Sequence, residues 1–267
     1  MIKLMVIAKR AVMLLFLIIS FSSCKKSSVD EMNKIVLVHG ENLDRCEMGQ
    51  LIKSLSDCNP KVIGINFLFV GATDVCDSVL HREITKSNKV VLVEGFENNE
   101  RVISEGMFAN NTLIGLPGLI QNKEGVTDHY YRITNHLGGW EYSFPFQLAL
   151  EYDTTHASQL AGKSTPNDYP INVYSNLSDF KKIKPDEVVS NRESIKDKII
   201  IIGDLNEDDQ KNYFKTLQAD KSTQSTLSTV ILANIVVDIL QDLHTPNVQI
   251  SKFSEMIRKQ QSKRGRK

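Results

Sequence analysis

Short apolar runs alternate along the chain with segments in which apolar residues recur at helical spacing. The runs at 34–38, 61–70 (KVIGINFLFV) and 89–93 predict three strands, the second apolar enough to be buried on both faces. Helical spacing at 51–58 and 77–84 separates these strands, and Asp77 is placed to cap the second helix. This order is typical of a parallel sheet with helices on its faces.

The middle of the chain has shorter and more polar segments. The runs at 112–116 and 130–134 predict strands that extend the sheet in the antiparallel sense. A short helix is predicted at 144–152, an exposed polar loop at 155–168 and a further short strand at 171–174.

The strongest strand signal is the run KIIIIG at 198–203, which predicts a central strand. It is followed at 228–243 by a helix with Leu232, Val236 and Ile239 on one face, which predicts a surface helix packed on the core. The predicted fold is therefore α/β: a single three-layer domain with a mixed, mostly parallel sheet flanked by helices.

The first 24 residues have the pattern of an export signal. Lys3, Lys9 and Arg10 precede an apolar run at 11–21, which ends in two serines and Cys24. The run is shorter than the roughly 20 residues that a membrane span needs. We expect a lipoprotein signal with an acylated Cys24, and a plain secretory signal or an uncleaved anchor remain alternatives. Each places the rest of the chain outside the cytoplasm, in the cell envelope.

Composition divides the chain into four parts. We expect a signal peptide at 1–23, a polar tether at 24–33, one folded domain at 34–243, and a basic, disordered tail at 244–267. The overall net charge is zero, but residues 24–251 carry 22 Lys and Arg against 31 Asp and Glu. Because phosphates need a basic surface, such a body is not expected to bind nucleic acid.

Three cysteines follow Cys24, so at most one intramolecular pair can form among them. Cys58 lies on the apolar side of the first helix and is expected to be a small buried residue. Cys46 and Cys76 are the candidate pair, and the sequence leaves open whether they join. No C-x-x-C spacing is present, which argues against a structural zinc site.

Signatures of known chemistry are absent from the sequence. It contains no G-x-S-x-G, no phosphate-binding P-loop, no G-x-G-x-x-G and no H-E-x-x-H, so we expect no cofactor, no metal and no enzymatic activity. The acidic loop Asp204, Asn206, Asp208 and Asp209 is expected to be a solvated turn, since it lacks the glycine and glutamate positions of an EF-hand. A metal-dependent envelope hydrolase using this loop is the alternative.

Five residues at predicted strand ends are candidates for ligand binding, because open α/β sheets bind ligands beyond the carboxyl ends of their strands. They are His39, Glu41, Asn66, Asp204 and Asn206. For His39 a structural role is the simpler interpretation.

Asp128 and Arg132, four residues apart, are expected to form a salt bridge that shapes a turn, with a polar ligand held by Arg132 as the alternative.

The order of segments resembles the type-2 CHASE domain, an extracellular sensory module of bacterial receptors. The likeness covers about residues 33–243 and is carried by the series KIVLVHG, NPKVIGINFLF, KVVLVEGF, NTLIGLPGLI, DHYYRI, SFPFQLALEY, PINVY, IKDKIIIIGD and STVILANIVVDIL. The sequence departs from the family pattern at Asn66, where an acidic residue is common, and at His39-Gly40-Glu41, where an aspartate pair is usual.

This resemblance implies a non-enzymatic sensory or binding module whose partner is a small ligand or a membrane signalling protein. Family members usually continue into membrane spans and a kinase, cyclase or phosphodiesterase, whereas only the basic tail follows Leu243 here. We therefore expect a domain without its own output, tethered to the membrane by its N-terminus. A truncated remnant of a receptor is the other interpretation.

Overall fold

A computed structural model of the protein describes residues 28–71, 75–97, 100–102, 104, 106–109, 112–136, 139–161, 168–172, 175–208, 213–217 and 222–244. The strands are β1 (Ile35–His39), β2 (Val62–Ile65), β3 (Val90–Val93), β4 (Gly95–Glu97), β5 (Glu100–Val102), β6 (Leu113–Gly115), β7 (Leu119–Gln121), β8 (Val126–Tyr131), β9 (Ile133–His136), β10 (Gly139–Tyr142), β11 (Asp168–Pro170), β12 (Lys181–Ile183), β13 (Ile199–Gly203), β14 (Tyr213–Leu217) and β15 (Thr223–Leu227). The helices are α1 (Arg45–Asp57), α2 (Val75–Ser87), α3 (Gly106–Ala109), α4 (Phe144–Tyr152), α5 (Thr154–Ala161), α6 (Arg192–Ile195) and α7 (Ser228–His244).

The main sheet has the strand order β12-β1-β13-β2-β3-β6 in the described part of the chain. Its pairings are parallel throughout. One face carries Val36 and Ile200 against α1 and α2, and the other carries Leu37 and Ile201 against α4 and α7. The sequence prediction of a three-layer α/β domain with a mostly parallel sheet and KIIIIG at its centre is confirmed.

Local signals explain where the two helices nearest the strand ends begin. Asp44 caps α1, because its Oδ1 accepts from Glu47 N at 2.8 Å while Glu47 Oε2 accepts from Asp44 N at 2.9 Å. Ser143 caps α4, and Pro145 lies in its first turn. The prediction of a helix at 144–152 is confirmed.

A second sheet, β11-β8-β14-β15, lies outside the main one, with β7 paired to β8. The predicted strand at 130–134 is divided at Arg132 between β8 and β9, and neither joins the main sheet. The expected antiparallel addition of 112–116 is also wrong, since β6 pairs with β3 in the parallel sense. The chain between β3 and β6 includes the hairpin β4–β5 and α3, and this crossover allows a parallel return.

Three short segments differ from prediction for local reasons. Residues 154–161 form α5 instead of a loop, with Asp153 Oδ1 accepting from His156 N at 3.2 Å at its start. The strand expected at 171–174 lies earlier, at β11, because Asn172 N donates to Asp238 Oδ2 at 2.8 Å. Asp77 lies inside the first turn of α2 and pairs with Arg45 rather than capping the helix.

Helix α7 is more buried than its pattern of apolar and polar residues predicts. Its polar residues Asn234 and Asp238 are both 4% exposed, so it is not a surface helix. Asn234 Oδ1 accepts from Ser175 N at 3.1 Å and its Nδ2 donates to Ser175 O at 2.9 Å. Asp238 and Asn234 satisfy backbone groups of Asn172 and Ser175, which is why these polar residues face inward.

Arg132 is buried beside α7 and does not pair with Asp128, so the expected salt bridge is wrong. Its guanidinium pairs with Asp242, donates to the Tyr130 hydroxyl oxygen at 3.2 Å and lies 4.1 Å from the centre of the Tyr169 ring. Burial acts to lower the pKa of the Arg132 guanidinium, but Tyr130 and Asp242 raise that pKa overall. The residue therefore remains a cation that ties the second sheet to the end of α7.

Cys46 and Cys76 form a disulfide that joins the first turns of α1 and α2. Cys58 is buried, as predicted, and burial raises the pKa of its thiol. Arg45 reinforces the same junction by pairing with Asp77. The paired ends of α1 and α2 are thus held by one covalent and one ionic contact.

Two glycines in the main sheet allow α4 to pack closely. A Cβ on Gly115 would lie 2.5 Å from Phe144 Cα, a backbone atom, whereas a Cβ on Gly64 would lie 2.8 Å from the side-chain ends of Leu148 and Phe144. We expect Gly115→Ala to lower the free energy of unfolding by about 3 kcal/mol and Gly64→Ala by about 1 kcal/mol, because side chains can move and this backbone cannot. Urea denaturation of both variants measures the difference, and equal losses would contradict it.

Removing the disulfide should destabilise the domain. The bridge closes a loop of 30 residues, and the resulting loss of chain entropy in the unfolded state corresponds to about 3.6 kcal/mol. We expect the double variant Cys46→Ala/Cys76→Ala to lose about that much stability in urea denaturation. Adding dithiothreitol should reproduce the loss in the parent chain and leave the double variant unchanged; a parent chain insensitive to reductant would contradict the expectation.

Candidate functional site

The carboxyl ends of the central strands meet at one edge of the main sheet, because parallel strands all end there. His39 of β1 lies opposite Gly203 of β13 in the register. The pairing continues one residue further, since Gly40 N donates to Gly203 O at 3.0 Å and Asn66 N donates to Ile202 O at 2.8 Å. The residues that follow β1, β2 and β13 are therefore neighbours in space.

Three of the five predicted ligand-binding residues form a cluster at this edge. His39, Glu41 and Asp204 each offer one nitrogen or carboxylate oxygen, and these three atoms lie within 4.8 Å of one another. Asp204 is 4% exposed. The Glu41 Oε2 atom is enclosed by protein and has no hydrogen-bond partner.

His39 is held in place by the backbone that follows β13. Leu205 N donates to His39 Nδ1 at 3.3 Å, a long contact in which the ring nitrogen is the acceptor. The same turn is shaped by Asp204, whose Oδ1 accepts from Asn206 N at 2.8 Å. The imidazole and the two carboxylates are thus brought together by backbone geometry.

Asn66 and Asn206 lie at the same edge, and their observed contacts are structural. Asn66 Nδ2 donates to Ser228 Oγ and to Thr229 Oγ1, both at 3.3 Å, and Thr229 Oγ1 donates to Asp204 O at 3.1 Å. Asn206 Oδ1 accepts from Asp208 N at 3.0 Å. Asn66 therefore links the end of β2 to the start of α7, while Asn206 shapes the acidic turn.

The carboxylates of that turn diverge. Asp204 is buried against His39, whereas Asp208 is exposed, and Asp209 lies outside the described residues. Among the described residues, Asp208 belongs to none of the groups that have metal-binding spacing. The other such group, Asp44 with Cys46 and Cys76, contains the two cysteines already joined to each other.

A groove of about 460 Å³ opens beside the cluster and shares Glu41 with it. The segment that follows β2 gives one side of the groove a mainly apolar lining, and the start of α1 gives the other side a more polar one. The lining residues are Gly40, Glu41, Asn42, Leu43, Asp44, Arg45, Met48, Phe67, Leu68, Phe69 and Cys76. Leu68 is 39% exposed in the groove wall. The site thus combines an apolar surface with a carboxylate at its rim.

The groove exists because β2 ends earlier than its apolar run predicts. The strand stops at Ile65, and residues 67–70 turn away, with Phe69 N donating to Ser104 Oγ at 3.2 Å. Arg45 fixes the far end of this segment, since its guanidinium donates to Val70 O at 2.9 Å and to Gly71 O at 2.6 Å. Sequence reasoning missed Phe67 and Leu68 because it assigned 61–70 to a single strand, and it missed Arg45 because the contacts of that side chain with residues 70 and 71 arise only in the tertiary structure.

The predicted export signal, Cys24 and the basic tail from residue 245 onward lie outside the described residues. Residues 28–32, within the expected tether, form a helical turn in which Glu31 is 5% exposed. None of the helices in the described ranges combines the length and apolar content needed to cross a bilayer.

Comparison with known proteins places this architecture in a family. A search of curated proteins finds no match, and a search of solved structures finds none either. A family model, that of the CHASE2 domain, matches residues 26–257 and so takes in both the main sheet and the groove. The chain belongs to the CHASE2 domain family.

Proposed function

We propose that this chain is a non-enzymatic, extracytoplasmic sensory module that binds its ligand or partner in the groove at the carboxyl edge of the main sheet. Membership of a family of extracellular sensory domains supports a sensory role outside the cytoplasm. The position of the groove supports the binding site, because open α/β sheets take ligands at this edge.

The construction of the groove is the observation that carries this proposal. Phe67, Leu68 and Met48 supply an apolar wall, and Glu41 supplies a carboxylate at the rim. A site of this kind suits a small molecule or peptide segment with an apolar body and a hydrogen-bond donor or positive charge at one end. Arg45 does not compete for Glu41, since Asp77 and the backbone at 70–71 hold its guanidinium.

Binding in the groove would act by differential affinity. Its two walls come from separate parts of the chain, the segment 40–48 and the segment 67–69, so an occupant that touches both favours the arrangement in which they are close. The shift is bounded by the difference in affinity between the two arrangements. We propose that a separate membrane signalling protein reads this shift.

The alternative function, a metal-dependent hydrolase built on the loop that starts at Asp204, has less support. Its proposed ligands Asp204 and Asp208 differ in exposure and do not share a group with metal-binding spacing. Turnover of generic ester or phosphoester substrates by the purified chain would favour this alternative over a non-enzymatic module.

A groove-specific loss of binding tests the sensory proposal. A thermal-shift screen of small amphipathic compounds identifies those that raise the Tm of the parent chain. We expect these compounds to bind Leu68→Ser at least about tenfold more weakly, because the contact with the leucine side chain is lost. Glu41→Gln should weaken binding of cationic compounds in particular. Val189→Ser is the matched control, since Val189 is an exposed apolar residue outside the groove.

A photocrosslinking amino acid at position 68, with position 189 as control, extends the same test to a membrane protein partner in intact cells. A discrete product at position 68 alone supports the groove as the docking site. Compounds whose effect is the same in all variants, together with no product specific to position 68, would reject the proposal.

The membrane tether is tested separately. We propose that acylated Cys24 anchors the chain to the envelope, as the sequence of its leader predicts. Cells grown with a labelled fatty acid should incorporate the label into the parent chain and not into Cys24→Ala, and only the parent should sediment with membranes. A labelled Cys24→Ala variant would show that the anchor lies elsewhere.

A further inference from the structure

We propose that His39, Glu41 and Asp204 form a binding site for a divalent transition-metal cation beside the groove, which shares Glu41 with it. The inference deepens the proposed function and rests on it for the role of the site. It concerns a cluster that lies apart from the exposed side of the acidic turn, where the sequence alone suggested a cation alternative.

The arrangement of the three side chains is the first argument. They come from the ends of β1 and β13, and the register that places His39 opposite Gly203 brings their ligand atoms within 4.8 Å of one another. Ligands of a tetrahedral zinc ion lie about 3.4 Å apart, given metal–ligand distances near 2.1 Å. Rotation of the flexible Glu41 side chain covers the remaining difference.

The second argument is the unsatisfied carboxylate. Glu41 is half-buried, but its Oε2 atom is enclosed and has no hydrogen-bond donor in the described structure. Asp204 beside it is 4% exposed, so two carboxylates share a site with little water. A bound cation supplies the missing partner and offsets the repulsion between the two negative charges.

The nature of the ligands selects the kind of metal. Ca²⁺ and Mg²⁺ prefer oxygen ligands alone, whereas an imidazole nitrogen together with carboxylates suits Zn²⁺, Mn²⁺ or Fe²⁺. Coordination by either ring nitrogen of His39 requires the 3.3 Å contact from Leu205 N to Nδ1 to change, since one nitrogen must bind the metal while the other carries the proton. Three protein ligands leave further coordination positions open toward the groove.

The open positions give the metal a role in recognition. Glu41 belongs both to the cluster and to the groove lining, so an occupant of the groove lies next to the metal. A ligand with a carboxylate, thiol or imidazole group could then complete the coordination while its apolar part contacts Phe67 and Leu68. With the metal bound, the Glu41 carboxylate is occupied, so the groove recognises an anionic or neutral donor group in place of the cationic group that the metal-free groove takes.

Metal titration of the full-length chain, purified in mild detergent and stripped with a chelator, tests the inference. We expect one Zn²⁺ per chain by calorimetry, with Ca²⁺ and Mg²⁺ at least about tenfold weaker. Glu41→Gln and His39→Gln should each weaken Zn²⁺ binding by at least about tenfold, since even changes to residues that only support metal ligands have effects of that size. Asp208→Asn, on the exposed side of the same turn, is the matched control and should bind as the parent does.

The Co²⁺-loaded parent chain supplies a measurement that needs no variant to fold. A hyperfine-shifted imidazole proton in its NMR spectrum supports coordination by histidine, and its absence at saturating Co²⁺ rejects it. Equal Zn²⁺ affinity in all variants, or a loss confined to Asp208→Asn, would also overturn the inference.

The two proposals fail in different ways. If no metal binds while compounds still require Leu68, the metal site is wrong and the sensory groove stands. If Zn²⁺ binds at the cluster but nothing binds in the groove, the sensory proposal is wrong and the metal site stands.

Discussion

The fully buried strand Ile199–Gly203 determines where the residues at the carboxyl edge of the main sheet lie. It lies between β1 and β2, and its side chains pack alternately against the two layers of helices. Side chains in a strand alternate between faces, so a shift of one residue would exchange the two layers. Because that register is fixed, Asp204 can only emerge beside His39 and Glu41.

Gly203, the last residue of this strand, ties the edge to the final helix. A Cβ at this position would lie 2.2 Å from Thr229 Oγ1, so only glycine allows α7 to begin this close to the sheet. Thr229 in turn donates to Asp204 O and accepts from Asn66. The same small space therefore positions a helix, a strand end and a carboxylate.

The parts of the fold that sequence predicted are those with strong local signals. The central strand, the neighbouring strands and the helix at Phe144–Tyr152 follow from apolar runs and a clear cap. The second sheet could not be predicted in this way. Its strands β7 and β11 have three residues each, which is too short for a recognisable alternation of apolar and polar residues. Helix α7 was predicted, but its burial was not. Asn234 and Asp238 suggested an exposed face, whereas their side chains accept hydrogen bonds from backbone groups that no sequence pattern reveals.

For the site, sequence could place residues at a common edge but not describe the surface they create. The sequence could place His39, Glu41 and Asp204 close together because strand ends are identifiable and parallel strands end together. The groove depends on residues 67–70 leaving the sheet, which is decided by distant contacts of Arg45 and Ser104. Apolar residues that line a groove and apolar residues that continue a strand have the same composition, and only tertiary structure separates them.

The bridge between Cys46 and Cys76 makes the shape of the groove depend on the redox state of its surroundings. Cys76 lines the groove, and its partner lies in the first turn of the helix that supplies the opposite side. Disulfides form and persist in oxidising compartments. In a reducing compartment the two cysteines would stay as thiols, and the groove would lack this covalent link to the start of α1.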